Sequence, residues 1–162
     1  MEEKQTIKIG SKVTDFTLDD HNEKPFKLSD FKGKKILLSF HPIAWTSVCA
    51  KQMQSLERNK KKFDKINTIT VGISVDPTPS KKAWAQHLEI KNTRLLSDFW
   101  PHGAIAQQYR IFREDDGISE RANIIVDEEQ NISFMKKYPI SQLPDIQEII
   151  RFLEQKKVTK TV

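Results

Sequence analysis

The chain of 162 residues contains one cysteine, Cys49, and its thiol is the side chain best suited to covalent chemistry. Thr46 lies three residues and Pro42 seven residues before it, in the segment FHPIAWTSVCAKQ that spans residues 40–52. Thr46 or Ser47 is a good helix N-cap, which predicts that Cys49 lies in the first turn of a helix. Free backbone N–H groups and the positive end of the helix dipole stabilise a thiolate there. The segment therefore favours a nucleophilic thiol.

The cysteine count limits what this thiol can do. A chain with one cysteine has no internal disulfide, no CxxC redox pair and no cysteine-rich zinc site. A lone cysteine is also often a small apolar core residue, and that structural alternative stays open on the count alone. His87 and His102 belong to no spacing that suggests a metal site, so we expect neither a metal nor a cofactor.

The elements that must position Cys49 are visible in the apolar pattern. Residues 35–40 (KILLSF) and 68–75 (TITVGISV) are short aliphatic and β-branched runs, typical of strands buried on both faces of a parallel sheet. Between them, residues 48–66 place Met53, Leu56 and Phe63 on one face of a helix. Strand, helix and strand make a βαβ unit, with Cys49 just after the first strand.

The same alternation continues to the end of the chain. We expect a strand at residues 94–97, helices at residues 79–89 and 101–109, a hairpin of strands 122–127 and 132–138, and a last helix that starts at Pro144 and buries Leu143. The order βαβαβαββα predicts an α/β fold with a mixed central sheet, helices on both faces and an antiparallel edge. Such sheets place their sites at the carboxyl ends of the strands, where Cys49 falls.

Several motifs carry a family resemblance. The spacing Pro42-x3-Thr46-x2-Cys49 after a hydrophobic strand resembles the PxxxTxxC active-site motif of the peroxiredoxins, the AhpC/TSA family. Further landmarks match in order over residues 8–156: DFxL at 15–18, LSDFxGK at 28–34, LSD at 96–98, and Arg121 followed by Val126-Asp127. The segments KAWA at 82–85 and SDFWPHG at 97–103 resemble the one-cysteine, alkyl hydroperoxide reductase E-type group.

The resemblance implies a thioredoxin-like fold with an N-terminal extension and a thiol-dependent peroxidase activity. Cys49 would be the nucleophile that attacks a hydroperoxide and becomes a sulfenic acid, with Thr46, Pro42 and Arg121 completing the site. Arg121 would supply donors to the charge that moves onto the leaving oxygen. The backbone N–H groups of Val48 and Cys49 would bind the peroxide.

Two further residues have supporting roles in this interpretation. Gln52, one turn after Cys49, occupies a slot where the family often has Glu or Gln, and we expect it to orient Arg121. His41 could suggest a Cys–His pair, but neighbouring strand residues point to opposite faces. We therefore expect His41 to pack at or shape the pocket rim.

The missing second cysteine decides how the cycle ends. Many peroxiredoxins trap the sulfenic acid with a resolving cysteine, which related sequences can carry near residues 76–82; this chain has only the hydroxyl of Ser80 there. The expected partners are thus a hydroperoxide substrate, an external thiol or thioredoxin-like reductant and, from the family, a second copy in a homodimer. The competing function is a redox-sensing thioredoxin-like interaction protein with a reactive cysteine.

Composition excludes other classes. The length fits one domain, residues 1–162. The net charge of +5 is scattered except at residues 60–62 and in the basic tail at 156–160, so no nucleic-acid partner is expected. No apolar run approaches the roughly 20 residues of a membrane helix. The residues Met1-Glu2-Glu3-Lys4 begin no signal peptide, which indicates a cytoplasmic protein.

Overall fold

A computed structural model describes residues 7–159, with side chains as far as residue 155. The first residues, Met1 to Lys4, and the basic tail at 156–160 therefore have no described side chains. In chain order the strands are β1 (Thr17–Asp19), β2 (Pro25–Lys27), β3 (Lys35–Phe40), β4 (Thr68–Ser74), β5 (Arg94–Ser97), β6 (Phe112–Arg113), β7 (Ile118–Ser119), β8 (Arg121–Val126) and β9 (Ile132–Tyr138). The helices are α1 (Ser47–Arg58), α2 (Lys60–Lys65), α3 (Thr78–His87), α4 (Ala104–Gln108) and α5 (Ile146–Thr159).

The central sheet has five strands in the order β5-β4-β3-β8-β9. Strand β3 pairs in parallel with β4, which pairs in parallel with β5; β8 is antiparallel to both β3 and β9. The predicted mixed sheet with an antiparallel edge is confirmed. Every residue of β3 and β8 is buried, as expected for strands covered on both faces.

The two faces of the sheet carry separate cores, because successive strand side chains point in opposite directions. Leu37 and Ile125 join one core, which is covered by α1, α2, α3 and α5. Ile36 and Ile124 join the other, which is covered by α4 and by the N-terminal residues Phe16 and Phe26. The prediction of helices on both faces is confirmed, and the N-terminal extension forms the antiparallel β1–β2 hairpin against the second face.

Some element boundaries differ from the prediction, each for a local reason. The helix expected over residues 48–66 is broken at Asn59, whose side chain donates to the carbonyl of Ser55 at 2.7 Å and ends α1. Helix α4 begins at Ala104 rather than at Pro101. The Asp98 carboxylate accepts the N–H groups of Ile105 and Ala106 at 3.0 and 2.9 Å, which fixes that start.

The last helix also starts later than predicted. It begins at Ile146, where Asp145 accepts the N–H of Gln147 at 3.0 Å, so Pro144 precedes the helix. Leu143 is 43% exposed and does not belong to the buried face. The β6–β7 hairpin was not predicted, because two-residue strands leave too short a pattern to recognise.

Candidate active site

The loop after β3 delivers Cys49 to the carboxyl edge of the sheet. Thr46 is the N-cap of α1, so Cys49 lies in the first helical turn as predicted, where its side chain is only 1% exposed. The Thr46 hydroxyl does not cap the helix; it donates to the carbonyl of Ile43 at 2.9 Å. The first-turn N–H groups of Val48 and Cys49 have no carbonyl four residues back within the helix, and so they can bind an anion or a peroxide oxygen.

Arg121, the first residue of β8, reaches the cysteine from the sheet. Its Nη1 atom donates to Cys49 Sγ at 3.4 Å and to Gln52 Oε1 at 2.7 Å. Its Nε and Nη2 atoms donate to the carbonyl of Ile140 at 3.0 and 2.7 Å. The guanidinium is anchored on both sides and Arg121 is only 2% exposed, so the group has one orientation relative to the sulfur.

Gln52 holds Arg121 in place and is itself held. Its Nε2 atom donates to the hydroxyl of Ser39 at 2.7 Å and to the carbonyl of Phe40 at 3.1 Å, while its Oε1 atom accepts from Arg121. Ser39 in turn donates to Asn123 Oδ1 at 2.8 Å, across the β3–β8 pair. Every amide atom of this buried glutamine therefore has a partner.

Ser39 and Asn123 were not singled out from the sequence. Both are polar residues inside runs that are otherwise apolar, and they lie on the same sheet face as Arg121 because strand side chains alternate. That alternation was the available signal. Only the antiparallel register, which sets Ser39 opposite Asn123, makes them a supporting pair.

Pro42 and His41 lie at the end of β3, and both are buried. His41 is fully buried and lies deeper than the predicted pocket rim: its ring centroid is 5.4 Å from that of Trp84, and its Nε2 atom is 3.3 Å from Lys81 Nζ. Burial and the neighbouring Lys81 hold the pKa of His41 well below its usual range. Among the hydrogen bonds of the described residues, none joins His41 to Cys49.

The three tryptophans separate into two groups. Trp84 is buried in the core, but Trp45 is 52% and Trp100 is 82% exposed. The Trp45 backbone has a left-handed φ of 68°, and its indole N–H donates to Ser80 Oγ at 3.2 Å. Trp45 and Trp100 are therefore surface residues, and of the three tryptophans only Trp84 lies in the core.

The site is thus a buried thiol at a helix start, facing an anchored guanidinium and first-turn N–H groups. This arrangement suits a thiolate nucleophile whose charge moves to a leaving oxygen. Within residues 7–155, no three His, Cys, Asp or Glu side chains are grouped so that they could hold a metal ion. No helix in the described part of the chain has the length and apolar character to cross a membrane.

Comparison with known proteins shows the family of the chain. The AhpC/TSA family model matches residues 9–135. Alkyl hydroperoxide reductase E of Mycobacterium tuberculosis is 37% identical over 129 residues, which cover 79% of this chain and 84% of that protein. A peroxiredoxin of Thermoplasma volcanium is 29% identical over 153 residues, covering 91% and 74%. The crystal structure of Enterococcus faecalis AhpC has a TM-score of 0.86 at 23% identity, covering 94% of each chain.

Fold and site together define a thioredoxin-like thiol peroxidase. The chain belongs to the AhpC/TSA family, the peroxiredoxins, and resembles its one-cysteine alkyl hydroperoxide reductase E group. The predicted family and peroxidase activity are confirmed, and the redox-sensor alternative is not favoured.

Proposed function

We propose that Cys49 is the peroxidatic residue of this enzyme. Its thiolate attacks the hydroxyl oxygen of a hydroperoxide, the O–O bond breaks, and the leaving oxygen takes a proton to give water or an alcohol. The sulfur loses two electrons and becomes a sulfenic acid, while the peroxide gains them. The observation that carries this proposal is the 3.4 Å contact between Arg121 Nη1 and the buried Cys49 Sγ.

Other residues stabilise the charge that moves during this step. Arg121 donates to the sulfur before attack and to the peroxide oxygens in the transition state. The N–H groups of Val48 and Cys49 bind the same oxygens, and the Thr46 hydroxyl orients the peroxide. Buried Pro42, which has no N–H, limits water around the sulfur. Gln52 keeps Arg121 aligned through its 2.7 Å hydrogen bond.

The second half of the cycle uses a thiol from outside the chain. An external thiol, either a small molecule or a thioredoxin-like protein, attacks the sulfenic acid, releases water and forms a mixed disulfide; a second thiol then releases Cys49. This proposal rests on the single cysteine of the sequence.

We also infer that the protein acts in the cytoplasm, where such thiols stay reduced. Both cores pack on the one central sheet, in keeping with a single domain over residues 1–162.

A homodimer is the oligomeric state that we propose. Trp45 follows β3, and Phe99 and Trp100 follow β5, so these exposed aromatic side chains leave the same edge of the parallel strands as Cys49. Exposed aromatic residues are typical of interfaces. Sedimentation of the wild-type chain and of Trp100→Ser tests this proposal: a dimer that weakens in the variant supports it, and a monomeric wild type contradicts it.

One experiment tests the role of Cys49 directly. The reduced chain receives one equivalent of hydrogen peroxide with a sulfenic-acid trap, followed by intact-mass analysis. We expect one added trap, located on Cys49, and none in Cys49→Ser. Rapid peroxide loss that is unchanged in Cys49→Ser would contradict the proposal. Repeated turnover with a supplied thiol separates an enzyme from a sensor, which reacts once.

A further inference from the structure

Behind the loop that carries Pro42 and Thr46 lies a buried polar cluster that the mechanism above does not use. At its centre is Lys81, which is 0% exposed although it is a lysine on the otherwise amphipathic helix α3. Its Nζ atom donates to Ser74 Oγ at 2.5 Å and lies 3.3 Å from His41 Nε2. Lysines are almost never fully buried unless they are paired, so this position requires a reason.

The cluster is connected to the active-site loop at two points. Ser74 Oγ donates to Asp76 Oδ2 at 2.6 Å, and the same carboxylate oxygen accepts the N–H of Ala44 at 2.8 Å. Ala44 lies between Pro42 and Thr46. The second connection is His41 itself, which directly precedes Pro42. An ammonium group can donate hydrogen bonds but cannot accept them. The hydrogen bonds therefore point in one direction: Lys81 donates to Ser74, and Ser74 donates to Asp76.

We propose that Lys81 is a positioning residue for the peroxidase reaction: its buried ammonium group, acting through Ser74, Asp76 and His41, fixes the loop of residues 41–46 beside Cys49. This inference rests on the peroxidase activity and goes beyond the roles assigned to Cys49, Thr46, Pro42 and Arg121. A loop held at its first residue and at its middle keeps the pocket wall beside the helix start in one geometry, which is what an attack at close range requires.

The charges around Lys81 make this control sensitive to pH. Three anionic groups face it from neighbouring elements, namely Asp76 after β4, Asp98 after β5 and the Cys49 thiolate on α1. His41 lies at the end of β3 with Arg121 beyond it on β8, and His21, which accepts the N–H of Leu95 on β5, also interacts electrostatically with Lys81. Burial lowers the pKa of Lys81 to about 7, against the raising effect of Asp76, Cys49 and Asp98. The ammonium group is thus lost near neutral pH, and with it the positive charge opposite Asp76.

The test compares Lys81→Met with the wild-type chain across pH. Oxidation of Cys49 by hydrogen peroxide is followed by rapid mixing, and the ratio of variant to wild-type rate constants is plotted between about pH 6 and pH 9. At the acid end we expect Lys81→Met to react about tenfold more slowly. Towards the alkaline end the ratio should rise towards one, because wild-type Lys81 has then lost the positive charge opposite Asp76 and keeps only the hydrogen bond of a neutral amine to Ser74.

Lys82→Met is the matched control, since Lys82 is the exposed neighbour on the same helix; it should follow the wild type at every pH. A ratio for Lys81→Met that stays constant across pH, or that equals one throughout, overturns the proposal. If the proposed peroxidase reaction of Cys49 were wrong, the result would be different, because the wild-type chain itself would not react with hydrogen peroxide.

Ser74→Ala keeps the lysine but breaks its connection to Asp76, and it protects the test against a misfolded Lys81→Met. We expect slower oxidation of Cys49 and faster hydrogen exchange at the Ala44 amide, which Asp76 holds in the wild type. Unchanged exchange at Ala44 together with an unchanged rate would also overturn the proposal.

Discussion

Arg121 Nη1 lies 3.4 Å from Cys49 Sγ, although 72 positions separate the two residues in the chain. The contact exists because β8 pairs with β3, whose end leads into the loop and the start of α1. The same nitrogen is held by Gln52, and the rest of the guanidinium is held by the Ile140 carbonyl. The donor is therefore in place before a peroxide arrives, and such preorganisation is what transition-state stabilisation requires.

Replacing Arg121 should slow the reaction of Cys49 with peroxide far more than it perturbs the fold. For Arg121→Lys we expect a loss of about 10²-fold or more, because an ammonium cannot reach the sulfur, Gln52 and the Ile140 carbonyl together. Rapid-mixing kinetics with hydrogen peroxide measure it. Arg113→Lys is the control, because Arg113 pairs at the surface with Asp116; equal rates in the Arg121 variant and the wild type would refute the role.

Gln52→Leu tests whether the glutamine acts through Arg121. The substitution leaves the Ser39 hydroxyl and the Phe40 carbonyl without their donor, so the free energy of unfolding should fall by about 1–3 kcal/mol. The rate with peroxide should fall about tenfold, less than in the Arg121 variant, because the guanidinium keeps its anchor at Ile140. Urea unfolding and peroxide kinetics measure the two effects.

The control for Gln52→Leu is Gln54→Leu, because Gln54 is a half-buried glutamine on the same helix. A double variant with Arg121→Lys adds a sharper condition. If Gln52 acts through Arg121, the losses in rate should not add. Additive losses would show that the two residues act independently.

The local part of this site was predictable and the long-range part was not. The position of Cys49 at a helix start is predicted by Thr46 and Ser47, which are residue types preferred at helix starts, although the Thr46 hydroxyl bonds the carbonyl of Ile43 and does not cap the helix. Ser39 lies directly across from Asn123 because of the register between β3 and β8, and the apolar pattern does not specify that register. Lys81 was missed because lysine is normally exposed, although its spacing of three and four from the buried Trp84 and Ala85 places it on the inner face of α3.

Substitutions of Thr46 test whether its hydroxyl takes part in catalysis or only shapes the loop. Thr46→Val keeps the side-chain volume but removes the donor to Ile43, on an exposed residue where water can replace it. We expect the free energy of unfolding to change by less than about 1 kcal/mol. The rate with peroxide should fall about 10²-fold, and Thr46→Ser should restore most of it. A Thr46→Val enzyme as fast as the wild type would remove Thr46 from the chemistry.

Lys81 should make the stability of the chain depend on pH in one direction. Burial lowers the pKa of Lys81 from 10.5 to about 7, so between these values the unfolded chain binds a proton that the folded chain does not. The free energy of unfolding must then rise with pH over that interval, whereas below it both states are protonated and the contribution is constant. Burial raises the pKa of Tyr138 to about 12 and also raises that of Tyr109, so both tyrosines act in the opposite direction only near pH 10 and above.

Urea unfolding between about pH 7 and pH 9 isolates this contribution of Lys81. The wild type and Lys82→Met should gain stability with rising pH more steeply than Lys81→Met, because methionine has no proton to lose. The comparison uses slopes against pH, and a difference in absolute stability caused by repacking around methionine does not affect it. Parallel slopes for wild type and Lys81→Met would mean that the buried lysine stays protonated throughout this range, and the pH dependence proposed for the active-site loop would fall with it.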